Sequence, residues 1–160
     1  MTPEGIRRAG PRDLEVVTGL WLTLGDHHAA LDPAFGVRSD DRGRAEAREI
    51  VRRLLRDPDA ALLLWEGGEG RALGLSIVRA ARAPGVALED ERAEISDLWV
   101  DPEARRRGIG RALADASLAW VRQRGVERVT VRVAVANAEG QAFWRALGFA
   151  DLLDVLQRRL

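Results

Sequence analysis

The spacing of apolar residues changes along the chain, and this change constrains the fold more than any other feature. A short strand over 6–9 precedes two helices whose apolar residues recur every three to four positions. Three apolar runs of strand length follow, and the glycine-rich turn 67–70 joins the first two. Beyond them a helix, a strand, a helix and a last strand over 152–160 alternate. The order β-α-α-β-β-β-α-β-α-β predicts a mixed α/β fold, a central twisted sheet with helices on both faces.

Glycine, proline and capping residues set the expected element boundaries. The first helix should begin after Asp13 and end at Gly25, which leaves 26–43 as a long loop. The other helices are expected over 45–56, from about 109 to 124 and over 137–147. The remaining strands are expected over 61–66, 72–79, 94–100 and 129–135, with a loop over 84–90.

Composition narrows the function classes. A length of 160 residues predicts one domain covering 1–160, and 25 basic residues balance 25 acidic ones, which argues against a general nucleic-acid binder or a polybasic membrane protein. The chain has no cysteine, and its only histidines are adjacent, so neither an acyl-cysteine intermediate nor a His/Cys metal site is expected. No apolar run reaches 18 residues, and the first ten residues contain no signal-peptide core. We therefore expect a cytoplasmic protein that contacts neither membrane nor nucleic acid.

A strand leads through an arginine-rich loop and two glycines into a helix over 98–113. The first backbone N–H groups of a helix lack internal partners and carry the positive end of its dipole. Gly108 and Gly110 allow a phosphate to approach these groups closely, and the arginines at 105–107 add positive charge. This pattern predicts an anion cradle sized for a diphosphate. A dinucleotide-binding fingerprint is excluded because Leu113 replaces its third glycine, and a P-loop is excluded because the chain has no lysine.

Two motifs in this order resemble the GNAT superfamily of N-acetyltransferases. The first resembles that family's acyl-CoA pyrophosphate loop, and it reads Leu98-x-Val100-x-Pro102 followed by Arg105-x-x-Gly108-x-Gly110. The second resembles the family's closing helix, and it reads Asn137-x₅-Phe143-Trp144-x₃-Gly148-Phe149. The resemblance implies a GNAT-like acyl-CoA-binding fold and direct acetyl transfer from acetyl-CoA to a primary amine of a small molecule or peptide. A non-catalytic acyl-CoA sensor or regulatory module is the alternative.

The resemblance also assigns roles to residues. Backbone groups of Leu98 and Val100 should hold the pantetheine arm like an added strand, and the N–H groups of 106–110 should hold the pyrophosphate. Asn137 should bind or shape the pantetheine groove, and Phe143 should pack against the CoA arm. The full cofactor set is Leu98, Trp99, Val100, Arg105, Arg106, Arg107, Gly108, Ile109, Gly110, Arg111, Asn137, Phe143 and Trp144.

An acceptor amine must lose a proton before it attacks a thioester, so a general base is expected. Glu94 and Asp97 are the candidates, and Glu94 lies where histone-type members of the superfamily carry their base. Strand alternation puts the two side chains on opposite faces unless a β-bulge intervenes, as is typical of this family's fourth strand. A solvated strand-end charge is the plain alternative for either residue.

Two further features concern the acceptor and the leaving group. The resemblance makes the region of His27, His28 and Asp32 a wall of the acceptor site, where a histidine is either a base, a substrate contact or merely exposed. Acidic residues nearby hint at a cationic acceptor. Trp144 stands where many members carry the tyrosine that protonates the CoA thiolate, and the chain has no tyrosine, so we expect Trp144 to act by packing. Family members are often homodimers, which makes a second copy an expected partner.

Overall fold

The structure, a computed structural model, describes residues 5–88 and 91–160. Within these ranges the chain forms five strands, four α-helices and short 3₁₀ turns. The strands are β1 (Gly5–Arg8), β2 (Ala60–Glu66), β3 (Ala72–Arg82), β4 (Glu91–Val100) and β5 (Val129–Val131). The helices are α1 (Leu14–Leu31), α2 (Asp41–Arg56), α3 (Ile109–Gln123) and α4 (Ala138–Ala146).

The strands form a single sheet in the order β1-β2-β3-β4-β5. Strands β1 to β4 pair antiparallel with their neighbours, and β5 pairs parallel with β4. The antiparallel hairpin and the parallel crossover through α3 both match the strand order predicted from the sequence. The prediction of a mixed α/β sheet is confirmed.

Each face of the sheet is covered by a pair of helices. On one face Ile95 and Val78 pack with Leu113 of α3 and Trp144 of α4. On the other face the apolar side chains of β2 and β3 pack against α1 and α2, with Val17 and Val51 fully buried. Apolar burial on both faces fixes the sheet between the helices and gives the site rigid walls.

The expected stop of α1 at Gly25 is wrong, because the helix continues to Leu31. Glycine inside a helix costs only about 1 kcal/mol relative to alanine, which packing can outweigh. A Cβ at Gly25 would lie 2.6 Å from a methyl carbon of Val37, so glycine permits close contact with the following segment. The long loop expected over 26–43 is therefore short, and α2 begins at Asp41.

The last two expected strands also differ from the structure. Strand β5 ends at Val131 and not at 135. It pairs with β4 only between Val129–Val131 and Ala93–Ile95. The final strand expected over 152–160 is wrong: this segment has no strand structure and is exposed throughout. Four of its five apolar residues come in two adjacent pairs and do not alternate with polar ones. A lone segment without a hydrogen-bonded neighbour is not a stable strand. The loop expected over 84–90 is seen over 84–88, while residues 89 and 90 lie outside the described ranges.

Candidate active site

A cleft of about 690 Å³ opens between the end of β4, the start of α3, the helix α4 and the last turns of α1. Its walls come from three separate parts of the chain. The lining residues are Leu24, His27, His28, Leu98, Trp99, Val100, Arg105, Arg106, Gly108, Ile109, Gly110, Arg111, Asn137, Glu139, Gly140, Ala142, Phe143, Ala146 and Leu147.

One wall of the cleft is an unpaired edge of β4. This strand pairs with β5 only as far as Ile95, while its other edge stays paired with β3 up to Val100. The backbone N–H of Asp101 donates to the carbonyl of Leu73 on the β3 side, at 2.8 Å. Strand alternation therefore turns the backbone groups of Val100 and Leu98 toward the cleft. A ligand with amide groups can add to this edge as another strand would.

The anion cradle lies where the arginine-rich loop enters α3. Gly108 precedes the helix with φ of 81°, and Arg106 also has positive φ, at 63°. Apart from Gly108 and its two chain neighbours, no heavy atom of the described residues lies within 4 Å of the position that a Cβ on Gly108 would occupy. The left-handed conformation favours glycine there, and the free space brings a ligand close to the first N–H groups of α3.

Arg105 crosses the mouth of the cleft and makes three contacts. Its Nε donates to the carbonyl of Val100 at 3.1 Å, and its guanidinium carbon lies 5.0 Å from the ring centroid of Trp99. Its Nη1 lies 3.8 Å from a carboxylate oxygen of Glu139 on α4. Arg105 thus joins the two walls and covers one of the β4 carbonyls that face the cleft.

Helix α4 supplies the opposite wall. Asn137 caps its N-terminus by accepting a hydrogen bond from the backbone N–H of Gly140 at 2.9 Å. Phe143 faces the cleft and packs edge-on against Trp144, with 5.0 Å between ring centroids. Trp144 itself does not line the cleft: it is 9% exposed and also packs edge-on against Phe149. Its position is that of a core residue that supports Phe143.

A β-bulge brings the two candidate carboxylates to one face of the sheet. The register between β3 and β4 shifts so that Ile77 pairs with Asp97 and Val78 pairs with Ile95. Ser96 is the extra residue, and the faces of Asp97 and Glu94 therefore coincide on the side of α1 and α2. The sequence left open whether a β-bulge would put the two carboxylates on the same face, and the structure contains that bulge.

These two carboxylates have different environments, and neither lines the cleft. Asp97 accepts hydrogen bonds from the indole N–H of Trp21, at 2.8 Å, and from the hydroxyl of Ser96, at 2.6 Å. Glu94 lies 3.2 Å from the guanidinium of Arg132, at the end of β5. Asp97 is therefore fixed beside α1, whereas Glu94 is engaged at the paired end of β4.

The two histidines lie on the last turns of α1 and not on a loop. The ring of His27 lies 5.4 Å from that of Trp99, and the ring of His28 lies 6.4 Å from that of Phe35. Burial lowers the pKa of His28 below its usual value of 6.5; His27 lowers it further, while Asp97 raises it. His28 is consequently a neutral imidazole at the α1 end of the cleft near pH 7.

Two of the acidic residues that suggested a cationic acceptor instead cap local turns and helices. Asp32 does not line the cleft; its carboxylate accepts from the backbone N–H of Ala34 at 2.8 Å and caps the 3₁₀ turn Pro33–Phe35. Asp40 caps α2 by accepting from the N–H of Gly43 at 2.8 Å.

Most of the predicted cofactor residues line one cleft, together with both histidines. Of that predicted set, Arg107 and Trp144 do not line it. Sequence reasoning missed Leu24, Glu139, Gly140, Ala142, Ala146 and Leu147. Positions 139, 142, 143 and 146 share one face of α4, and this spacing could have indicated a cleft wall. The same spacing fits a helix face that packs against the core equally well.

The chain matches a family model described as "Acetyltransferase (GNAT) family" over residues 25–149. The chain belongs to this family. It is 33% identical to the mycothiol acetyltransferase of Beutenbergia cavernae over 132 residues, which cover 82% of this chain and 41% of the relative. The corresponding protein of Propionibacterium freudenreichii subsp. shermanii is 29% identical over 150 residues, covering 92% and 44%. The chain thus spans less than half the length of these relatives.

Solved structures support the GNAT fold. The BH1408 protein of Bacillus halodurans, solved as a tetramutant, superposes with a TM-score of 0.84 at 20% identity, covering 98% of this chain and 99% of that one. The aminoglycoside N-acetyltransferase AAC(6')-Iy, solved in complex with CoA, superposes with a TM-score of 0.71 at 20% identity, covering 98% of each chain.

Among residues 5–88 and 91–160, no group of three or more His, Asp or Glu side chains is arranged to hold a metal ion. Within the same ranges, no helix has both the length and the apolar character required to cross a bilayer.

Proposed function

We propose that this chain is an acetyl-CoA-dependent N-acetyltransferase that transfers an acetyl group to a primary amine of a small molecule or peptide. The observation that carries this proposal is the cradle at Gly108, which opens into the same cleft as the unpaired β4 edge at Leu98 and Val100. A diphosphate and a chain of amide groups, linked in that order, match these two features. Membership of the GNAT family supports the same assignment.

The fit to acetyl-CoA has three parts. The first N–H groups of α3 and the cationic side chains of Arg106 and Arg111 would hold the diphosphate. Phe143 provides an apolar surface for the pantetheine arm along β4. Acetyl-CoA would supply an activated acetyl thioester, and no metal ion is required for the proposed chemistry.

The residues of this chain then have to orient the amine, take up its proton and exclude water. Transfer would be direct within a ternary complex, because the chain has no cysteine to carry the acetyl group. Glu94 and Asp97 remain candidate proton acceptors on the α1 side of the sheet, and Asp97 is the better fixed of the two. A CoA thiol has a pKa of about 8.5 if it resembles free cysteine, so its thiolate can leave without a tyrosine.

The acceptor class follows from the wall formed by α1. Leu24, His27 and Trp99 line this end of the cleft and leave it largely apolar, while Asp32 is occupied as a cap. These features favour an amine on a partly apolar or aromatic body over a polycation. The aminoglycoside N-acetyltransferase among the structural relatives makes an aminoglycoside, which is a polycation, the contrasting acceptor to include in the test.

Location and assembly are further parts of the proposal. We propose a cytoplasmic protein, since acetyl-CoA is available there, and one domain over 1–160 that contacts neither nucleic acid nor membrane. A homodimer is supported by exposed apolar side chains in the tail, where Val155, Leu156 and Leu160 are 83%, 91% and 109% exposed. Light scattering coupled to gel filtration measures the mass of the assembly. A monomeric mass at a protein concentration of roughly 100 µM would refute the dimer.

The experiment that tests the activity has two stages. Acetyl-CoA binding is measured by calorimetry, with CoA and dephospho-CoA as comparisons, and release of free thiol is then followed across a panel of amines. Binding followed by thiol release and amide formation supports the proposal. Binding without turnover on a broad panel supports an acyl-CoA sensor instead, and no binding refutes both.

A further inference from the structure

The acceptor end of the cleft holds a titratable side chain whose role the family match does not assign. We propose that His28 is the general base that takes the proton from the acceptor amine, with Asp97 as the residue that positions and stabilises the resulting imidazolium. The inference deepens the proposed function and rests on it. Three features support this role: His28 lines the cleft, hydrogen bonds hold the carboxylate of Asp97, and Glu94 is paired with Arg132 outside the cleft lining.

The position of the reacting atoms follows from the direction of the cleft. With the diphosphate at Gly108 and the arm along Val100 and Leu98, the thioester lies at the end of the cleft away from the cradle. That end is formed by α1, where Leu24, His27 and His28 line the wall. An amine that attacks the thioester must therefore approach beside these imidazoles.

The face of α1 that carries His28 is directed toward β4. Trp21, Leu24 and His28 are spaced by three and four residues and share one stripe of the helix. Trp21 on this stripe donates to Asp97 of β4 at 2.8 Å, and Leu24 is buried. His28 thus faces the strand whose edge would hold the cofactor, and His27 contacts the same strand through its ring, which lies 5.4 Å from that of Trp99.

Asp97 is built into place for an electrostatic role. The hydrogen bonds from Trp21 and Ser96 hold one carboxylate oxygen each, so the side chain cannot turn away from α1. Each carboxylate oxygen can still accept another hydrogen bond. A fixed negative charge of this kind stabilises an imidazolium that forms nearby, which is how a carboxylate supports a histidine base.

Glu94 is less suited to this task. It lies on the part of β4 that pairs with β5, two residues before the bulge, and outside the cleft lining. Its carboxylate is 3.2 Å from the Arg132 guanidinium, so it is engaged by an ion pair outside the cleft lining.

The groups packed around His28 keep the imidazole neutral before the reaction. His27 on the same helix and burial both lower its pKa, while Asp97 from β4 raises it. The 3₁₀ turn presents the uncharged ring of Phe35, and the carboxylate of Asp32 is directed to the N–H of Ala34 within that turn. A neutral histidine can accept a proton at pH 7, as a base must.

The proposed step balances as follows. An acceptor ammonium gives one proton to a ring nitrogen of His28, and the free amine attacks the thioester carbon. The new C–N bond forms, the C–S bond breaks, and the electron pair leaves with the CoA sulfur. The second proton of the nitrogen goes to that thiolate, and His28 releases its proton to water. The products are the acetamide, CoA thiol and one proton.

The test compares two acceptors in three variants. With an alkylamine of pKa about 10, His28→Gln should lower kcat/KM by about 10²–10³-fold, with acetyl-CoA affinity within twofold of wild type. With an acceptor whose amine pKa is near 7, which is therefore about half neutral at pH 7, the loss should shrink below about tenfold. The matched variant His27→Gln removes the other cleft-lining imidazole and should lose less than His28→Gln with the alkylamine, by the same factor with both acceptors. In Glu94→Gln, a loss as large as in His28→Gln that also shrinks with the second acceptor would move the role to Glu94.

Several outcomes would overturn the inference. A loss below about threefold in His28→Gln, or an equal loss with both acceptors, would show that His28 takes no proton. A second readout is the NMR titration of the His28 ring, assigned with His28→Gln: half-protonation below pH 6.5 is expected, and half-protonation above about pH 7.5 would contradict it. Wild type that acetylates no amine refutes the proposed function and with it this role, whereas turnover preserved in His28→Gln refutes this role alone.

Discussion

The two ends of the cleft are built in opposite ways. The proposed cofactor end is built around one continuous segment, in which β4 runs through the arginine-rich loop into α3 at Gly108, and α4 supplies the opposite wall. The acceptor end is assembled from the last turns of α1, the bulged part of β4 and the 3₁₀ turn at 33–35. Its key contact, between Trp21 and Asp97, joins residues 76 positions apart in sequence.

This difference has a consequence for how each end changes with mutation. A site made of backbone groups at a helix start depends on φ angles and on space, and few side chains can tune it. A site made of side chains from distant elements depends on the packing of those elements and can be changed one residue at a time. We therefore expect a fixed cofactor preference and an acceptor preference set by α1.

The largest effect is expected where the cofactor wall rests on the core. Trp144→Ala should lower the free energy of unfolding by about 3–5 kcal/mol, since it empties a buried site between Phe143 and Phe149. Trp144→Phe keeps an aromatic ring there and should retain turnover within about tenfold with an unchanged pH–rate profile. Urea unfolding measures the loss of stability in Trp144→Ala, and kinetics with one amine measure the turnover of Trp144→Phe. A hundredfold loss of turnover in Trp144→Phe, with acetyl-CoA affinity intact, would mean that the indole N–H takes part in the chemistry.

The cradle itself gives the next largest effect. Gly108→Val should weaken acetyl-CoA binding at least about 100-fold, since a branched side chain would fill the approach to the first N–H groups of α3 and is strained at φ of 81°. Gly70→Val is the matched control, because Gly70 has φ of 74° and equal free space but lies in the β2–β3 turn. Calorimetry measures the affinity of both folded variants for acetyl-CoA. Equal affinities would show that the diphosphate does not bind at Gly108.

At the acceptor end the expected effect is smaller and confined to turnover. Trp21→Phe removes the N–H that holds Asp97 and should lower kcat/KM for the amine by about tenfold, with acetyl-CoA affinity unchanged. Trp65→Phe is the control, because the buried Trp65 indole N–H has no hydrogen-bond partner among the described residues. Kinetics with saturating acetyl-CoA compare them, and similar values for both variants would argue against a positioning role for Trp21.

The smallest effect tests whether Arg105 holds the mouth of the cleft. Glu139→Gln removes an exposed partner of Arg105, worth at most about 1 kcal/mol, and a negative charge near the cradle. Acetyl-CoA should bind about two- to fivefold more tightly, since Arg105 then releases the Val100 carbonyl more readily. Glu103→Gln removes the same charge from an exposed position outside the cleft lining. Tighter binding in both variants would mean a general charge effect, and weaker binding in Glu139→Gln would contradict the account.

The sequence alone determined the features that depend on local chemistry. The spacing of apolar residues and the positions of glycine and proline predicted the mixed α/β order. The strand–loop–helix at 98–113 predicted an anion cradle, because helix N-termini and glycine conformations are properties of short segments. The cap at Asn137 is local in the same way. The resemblance to GNAT proteins came from these same segments, and the family match confirms it.

Tertiary structure decided what no short segment carries. Helix α1 continues through Gly25, which packs closely against Val37, and His27 and His28 therefore lie on a helix and not on a loop. The bulge at Ser96 put Asp97 and Glu94 on one face, and the separation of β4 from β5 ended β5 early. Each of these outcomes depends on which distant residues a segment packs against, and packing energies exceed the small local preferences of glycine and strand residues.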